Sequence, residues 1–253
     1  MHSYQEYLLL SKAHALEEDM PRFRTLKTEL RSLLEQENWE ESLPHITAMP
    51  ATQVVGPLMS FFLFGGEMKW RAITAFGLVM GKLAQDDTEQ ARIIMRRLLW
   101  HMNEESGNIG WGIAEAMAES MVNNTVLANE YNRMLHSYVR ETTDDDNYLD
   151  HPPLRRGVYW GLGRMAGKYP DLMRPSVRAL SWGLQDEDAE GRGLAAWALG
   201  FIGSEANIPA LETMLDDTTP VELFSKRSIC CTTVGKIAKK TVSRIQKRAA
   251  EAQ

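Results

Sequence analysis

The chain has 253 residues, of which 44% are hydrophobic and 25% charged, with a net charge of −6. These proportions are those of a folded protein and exclude a disordered or low-complexity chain. No apolar run reaches the roughly 18 residues of a membrane-spanning helix, and the only two cysteines, Cys230 and Cys231, are neighbours, which excludes a disulfide-built scaffold and points to a reducing cytoplasm.

The N-terminal segment MHSYQEYLLLSKAHALEED has neither a basic leading region nor a cleavage site and reads as an amphipathic helix. Pro21 ends it, and RFRTLKTELRSLLEQE (22–37) reads as a second helix. The pair, within residues 1–42, is expected to cap the open first unit of a repeat array that begins at residue 43.

Five related segments make up that array: ITAFGLVMGKLA (73–84), GWGIAEAMAESM (110–121), LRRGVYWGLGRMA (154–166), GRGLAAWALGFIG (191–203) and RSICCTTVGKIA (227–238). Arg155, Trp160, Leu162 and Gly163 of the third recur as Arg192, Trp197, Leu199 and Gly200 of the fourth. Anchored at Gly81, Ala118, Gly163, Gly200 and Gly235, the copies are 37, 45, 37 and 35 residues apart, a period that fits helical-pair repeats. The first copy slips by two if Arg71 takes the arginine place.

Each later copy is preceded by a second apolar segment at helical spacing: Ile93, Ile94, Leu98, Met102; Leu127, Tyr131, Met134, Leu135, Tyr138; Leu172, Val177, Leu180, Leu184; and Ile208, Leu211, Leu215. No β-type alternation runs over four or more residues. Each repeat therefore reads as helix A, turn, helix B, with no strands. Pro44, Pro170 and Pro209 mark A-helix starts, and the acidic runs 186–188 and 216–217 mark the fourth and fifth B-helix starts. The glycines inside B helices (77, 81, 112, 157, 161, 163, 193 and 200) each cost about 1 kcal/mol there and point to close helix–helix approach. The long step of 45 is taken up by the loop TTDDDNYLDHPP (142–153), expected to touch a partner or fold over a binding face. From Ser225 on, eight basic residues face Glu251 alone, a net of +7 that leaves −13 for the rest of a chain totalling −6. A solvated basic helix and an acidic partner are both open readings of that tail.

The pattern Arg-x-x-Ala-Ala-x-Ala-Leu-Gly-x-Ile-Gly at 192–203 resembles the HEAT repeats of the phycobilisome-lyase type, over roughly 43–245. The resemblance implies an α–α superhelix. Together with the five anchors, the expected fold is all-α: about five helical hairpins behind the N-terminal helical pair, with 246–253 a basic, polar tail. The resemblance also implies that B-helix residues one, five and nine places after the arginine line a concave groove. These are Trp111, Glu115 and Glu119 in the second copy, Arg156, Trp160 and Arg164 in the third, Gly193, Trp197 and Phe201 in the fourth, and Ser228, Thr232 and Lys236 in the fifth. Tryptophan is a frequent interface anchor, and Arg156 and Arg164 are of the type that clamps a carboxylate or phosphate. Glu115 and Glu119, one turn apart, either recognise a cation or pair with those arginines. Filling gaps between helices is the other role open to these side chains.

The expected function is non-enzymatic: a scaffold that holds a protein or peptide in the concave groove (Trp111, Glu115, Glu119, Arg156, Trp160, Arg164, Trp197, Phe201), with no catalytic residues, cofactor, metal or membrane. The alternative is a base-excision enzyme, because the groove is similar to that of HEAT-like alkylpurine DNA glycosylases, with concave aromatics, one carboxylate and an arginine. Trp111, Glu115, Arg156 and Trp197 would take those places, Glu standing where that family has Asp. Phosphate contacts dominate DNA affinity, so the acidic balance weighs against nucleic acid. No His-Glu dipeptide of the HEAT-like deoxyhypusine hydroxylases occurs, and the six histidines show no zinc spacing.

Overall fold

The computed structural model describes residues 23–103, 110–140 and 147–251. The helix expected before Pro21 and residues 142–146 of the acidic loop lie outside them. A helix over 23–35 (α1) leads into a 3-10 turn at Trp39–Ser42, then α2 (Leu43–Ala48), α3 (Ala51–Met59), α4 (Gly66–Asp86), α5 (Thr88–Met102), α6 (Ile113–Val122) and α7 (Thr125–Ser137). After them come α8 (Pro152–Lys168), α9 (Pro170–Met173), α10 (Val177–Gly183), α11 (Ala189–Ile202), α12 (Ile208–Glu212) and α13 (Val234–Glu251). Packing joins α3 to α4, α5 to α6, α7 to α8, α10 to α11 and α12 to α13, while α4, α6, α8, α11 and α13 pack on one another in series. The result is an α–α superhelix of stacked helical pairs, with a continuous core between the A and B rows.

The helix ends follow from their residues. Asp87 accepts from the Gln90 amide, Asn124 from Val126 and Leu127, and Asp188 from Gly191, each such cap contributing about 1 kcal/mol. Prolines occupy the first turn of α2, α8, α9 and α12, where a missing N–H is harmless. In α5 the buried stripe is Ala91, Ile94, Met95, Leu98 and Met102. Ile93, expected with them, lies off that stripe and is 49% exposed.

An arginine near the start of a B helix ties each of three repeats to its loops. Arg155 Nη1 donates to the carbonyls of Leu149 (2.7 Å) and Asp150 (2.8 Å), while its Nε and Nη2 hold both oxygens of Asp186 at 2.9 and 2.8 Å. Arg192 repeats this with the carbonyl of Asp186 (2.9 Å) and the carboxylate of Asp217 (3.0 Å). Arg71 donates to the carbonyls of Leu34 (2.7 Å) and Gln36 (3.1 Å), so in the first repeat the arginine place belongs to Arg71, the register slipped by two. Burial opposes ionisation of Asp186, but hydrogen bonds from Arg155, the Asp188 amide and the Tyr159 hydroxyl outweigh it and hold its carboxyl below the usual range.

The fifth repeat corrects the sequence reading. Residues 227–238 do not form one helix. Pro220–Ser225 (β1) pairs antiparallel with Ser228–Thr233 (β2), and the helix begins only at Val234. The hairpin is an insertion between the acidic run at 216–217 and α13. Its two ends meet where the Val234 amide donates to the Thr219 carbonyl (3.1 Å) and the Gly235 amide to the Asp217 carbonyl (2.8 Å). Gly235 is required there because a Cβ would lie 2.2 Å from the Leu215 carbonyl oxygen. Ser228 and Thr232 therefore lie on a strand, Cys230 and Cys231 are free and exposed on that same strand, and α13 runs unbroken past residue 245.

Asp186→Asn leaves the buried Arg155 without its buried counter-charge, with only the exposed Glu187 at 3.4 Å to replace it, and is expected to cost roughly 3–5 kcal/mol. Because the folded carboxyl titrates below its unfolded value, its stabilisation is full above about pH 4 and is lost as pH falls through the folded value. Urea midpoints between neutral and acid pH check this: the variant starts lower and declines less in acid than the parent.

Candidate functional site

The B helices place side chains four residues apart on one face, and the chain's own hairpin lies over them. Val221 of β1 sits on Gly193, where a Cβ would meet Val221 Cγ2 at 2.8 Å. Phe224 packs against two indoles: its ring stacks on Trp70 at 4.6 Å with planes 4° apart, and Trp70 in turn meets Trp160 at 4.6 Å. The Trp160 indole N–H donates to the Phe224 carbonyl at 2.8 Å, so Trp160, which lines the cavity under the hairpin, is only 2% exposed and joins the continuous core. The turn at the hairpin tip holds Lys226 at φ 52° and Arg227 at φ 62°, the two left-handed residues of a type I′ turn. Arg227 closes an ion pair with Glu40 of the N-terminal 3-10 turn, spanning the mouth of the groove.

Beside the hairpin remains a cavity of about 380 Å³. It brings together five of the eight residues expected in the groove, namely Glu119, Trp160, Arg164, Trp197 and Phe201, with Phe224, Lys226 and Arg227 of the hairpin as its outer wall. Trp197 meets Phe201 edge-to-face at 5.4 Å. Trp197 also lies against Gly163, whose missing side chain gives it room, since a Cβ would be 2.4 Å from the indole ring. Arg244 of α13 covers the Phe201 ring at 4.7 Å.

The charged residues are engaged. Arg164 Nε meets Glu119 Oε1 at 2.6 Å, and that carboxylate is almost wholly buried. Glu115 pairs with Lys69 at 2.7 Å, not with an arginine. Arg156 holds both oxygens of Asp188 at 2.6–2.7 Å and Glu190 at 2.5 Å, so it acts as a bridge from α8 to the start of α11. Trp111 stands apart, edge-on to His151 at 5.5 Å. Of Trp111, Glu115, Arg156 and Trp197, the set a base-excision reading would need, only Trp197 lines the cavity. Among the described residues no group of three His, Cys, Asp or Glu side chains is placed to hold a metal ion, and no helix is long and apolar enough to cross a membrane.

Sequence reasoning missed Trp70, Phe224 and the latch between Arg227 and Glu40. The signal for the hairpin was present in the alternation Val221, Leu223 and in the β-branched Ile229, Thr232 and Thr233. It was masked by a turn that lacks the Asn-Gly chemistry usual for φ above zero.

Residues 147–223 match the family of HEAT repeats. No curated protein matches the chain. Among solved structures, an engineered protein of the Northeast Structural Genomics Consortium is 17% identical with a TM-score of 0.47, covering 87% of this chain and 96% of its own. A computationally designed armadillo repeat protein for modular peptide recognition is 14% identical with a TM-score of 0.45, covering 85% of this chain and 98% of its own. Residues 147–223 carry HEAT repeats.

Removing the Phe224 ring should release the hairpin from its indole socket at a cost of about 3 kcal/mol. Hydrogen exchange of Phe224→Ala is expected to quicken across 220–233 while α4 and α8 keep their protection. Unchanged exchange at 220–233 would show that the hairpin is held by something else.

Proposed function

We propose that this HEAT-repeat protein is a non-enzymatic scaffold that binds an extended peptide segment of another protein in its concave groove, with Trp160, Trp197 and Phe201 as the anchoring wall and Glu119 and Arg164 as its polar edge. One observation carries this reading: the groove already receives an extended strand. It grips β1 by an indole N–H on a backbone carbonyl and by an aromatic stack on Phe224, which is the chemistry of peptide recognition, with main-chain hydrogen bonding for affinity and a side-chain pocket for selectivity. The cavity beside it is open, aromatic and of a volume that takes one large side chain. Glu115 and Arg156 support this wall from outside the cavity through their own ion pairs, and Trp111 belongs to the loop side through His151. Two exposed thiols on β2 suit a reducing compartment, in keeping with a cytoplasmic site of action.

The base-excision reading gains no support, because its carboxylate is buried against Lys69. Selection of a displayed random-peptide library on the immobilised protein tests the proposal. Enriched peptides are expected to bind with micromolar affinity, about −8 kcal/mol, and to weaken at least about tenfold, roughly 1.4 kcal/mol, on Trp197→Ala. They should be indifferent to Trp100→Ala, whose indole is exposed on α5, with circular dichroism confirming that both variants fold. No enrichment, or equal loss in both variants, would contradict it.

A further inference from the structure

A second hollow of about 380 Å³ adjoins the first. It lies between Glu40 of the N-terminal turn and Leu43 and Pro44 of α2 on one side and α4 (Leu78, Lys82) on the other, and it shares Leu78 and Arg227 with the aromatic cavity. The two form one furrow that passes under the hairpin tip.

The charges along this furrow are unequal. Its two carboxylates are each taken by an arginine, Glu119 by Arg164 and Glu40 by Arg227. Three cations are left: Lys82 at one end, Lys226 on the hairpin tip and Arg244 over the Phe201 ring. None of them has a carboxylate within ion-pair distance among the described residues, and all are exposed. The remainder of the molecule is acidic, with the chain at −6 overall. A local excess of positive charge on an acidic body attracts an anionic ligand to the furrow and repels cationic ones. The apolar walls between those cations, formed by Trp197, Phe201 and Phe224 in one hollow and Leu43, Pro44 and Leu78 in the other, require large apolar side chains in the same ligand.

We infer that the segment bound is an acidic peptide carrying a bulky apolar residue. That residue fills the aromatic cavity, and its flanking carboxylates meet Lys226 and Arg244 on one side and Lys82 on the other. This rests on the peptide-binding reading above and adds the chemistry of the occupant.

Fluorescence anisotropy with four labelled probes tests it: a peptide with phenylalanine flanked by glutamates, the same peptide with lysines for glutamates, the glutamate peptide with alanine for phenylalanine, and a single-stranded oligonucleotide. The first is expected to bind, to weaken about tenfold in the double charge reversal Lys226→Glu, Arg244→Glu, and to weaken as salt rises from about 50 mM to about 500 mM. The lysine and alanine probes should bind at least about tenfold more weakly. Equal binding of the lysine probe, no effect of the charge reversal, or tighter binding of the oligonucleotide would overturn the inference. Library peptides that depend on Trp197 but carry no acidic excess would also overturn it while leaving the peptide-binding scaffold standing. Failure of every peptide at the groove would remove both.

Discussion

The stack of Trp70, Phe224 and Trp160, with the Trp160 N–H on the Phe224 carbonyl, joins three separate parts of the chain: α4, α8 and the hairpin inserted before α13. Trp70 and Trp160 come from helices that pack on opposite sides of α6, so they meet only because the B row curves inward. A two-stranded hairpin by itself is at best marginal in water, and its tip spends two non-glycine residues in the left-handed region, at roughly 1 kcal/mol or more each. The hairpin is therefore ordered by the surface it docks on. Without that socket the outer wall of the cavity and the bridge to Glu40 would both be lost.

Beneath this contact, the floor is set by small residues and paired charges. Glycines at 163 and 193 let Trp197 and Val221 lie flat on the neighbouring helix. Glu115 and Glu119 are buried on the groove side of α6, each with one cation from an adjacent B helix. Removing either cation would leave a buried carboxylate unpaired, a loss of several kcal/mol, so these pairs fix how neighbouring B helices register. The Arg71, Arg155 and Arg192 series does the same on the loop side. The groove is thus rigid where it is charged and aromatic where it is open, which suits selection of one side chain from a passing strand.

Much of this was legible in the chain. The spacing Arg155-Trp160-Gly163, repeated at Arg192-Trp197-Gly200, carries both the repeat and the common face of Trp160, Arg164, Trp197 and Phe201, because offsets of four on a helix are a local property. Contacts set by curvature were not legible. Glu115 reaches Lys69 on the preceding repeat, not Arg156 on the next one, and Trp70 finds Phe224 from far along the sequence. The hairpin itself was hidden by coincidence: Arg227 and Gly235 stand at the repeat's arginine-to-glycine spacing, although one serves a turn and the other a helix start.

The indole N–H resonances of the seven tryptophans give the most direct test of peptide capture in the groove. On titration with a glutamate-flanked phenylalanine peptide, Trp197 should shift first and furthest, with Trp160 moving next through its hairpin carbonyl, while the exposed Trp100 and Trp182 stay in place. Shifts confined to Trp100 and Trp182, with Trp160 and Trp197 unmoved, would show that recognition takes place away from the concave side.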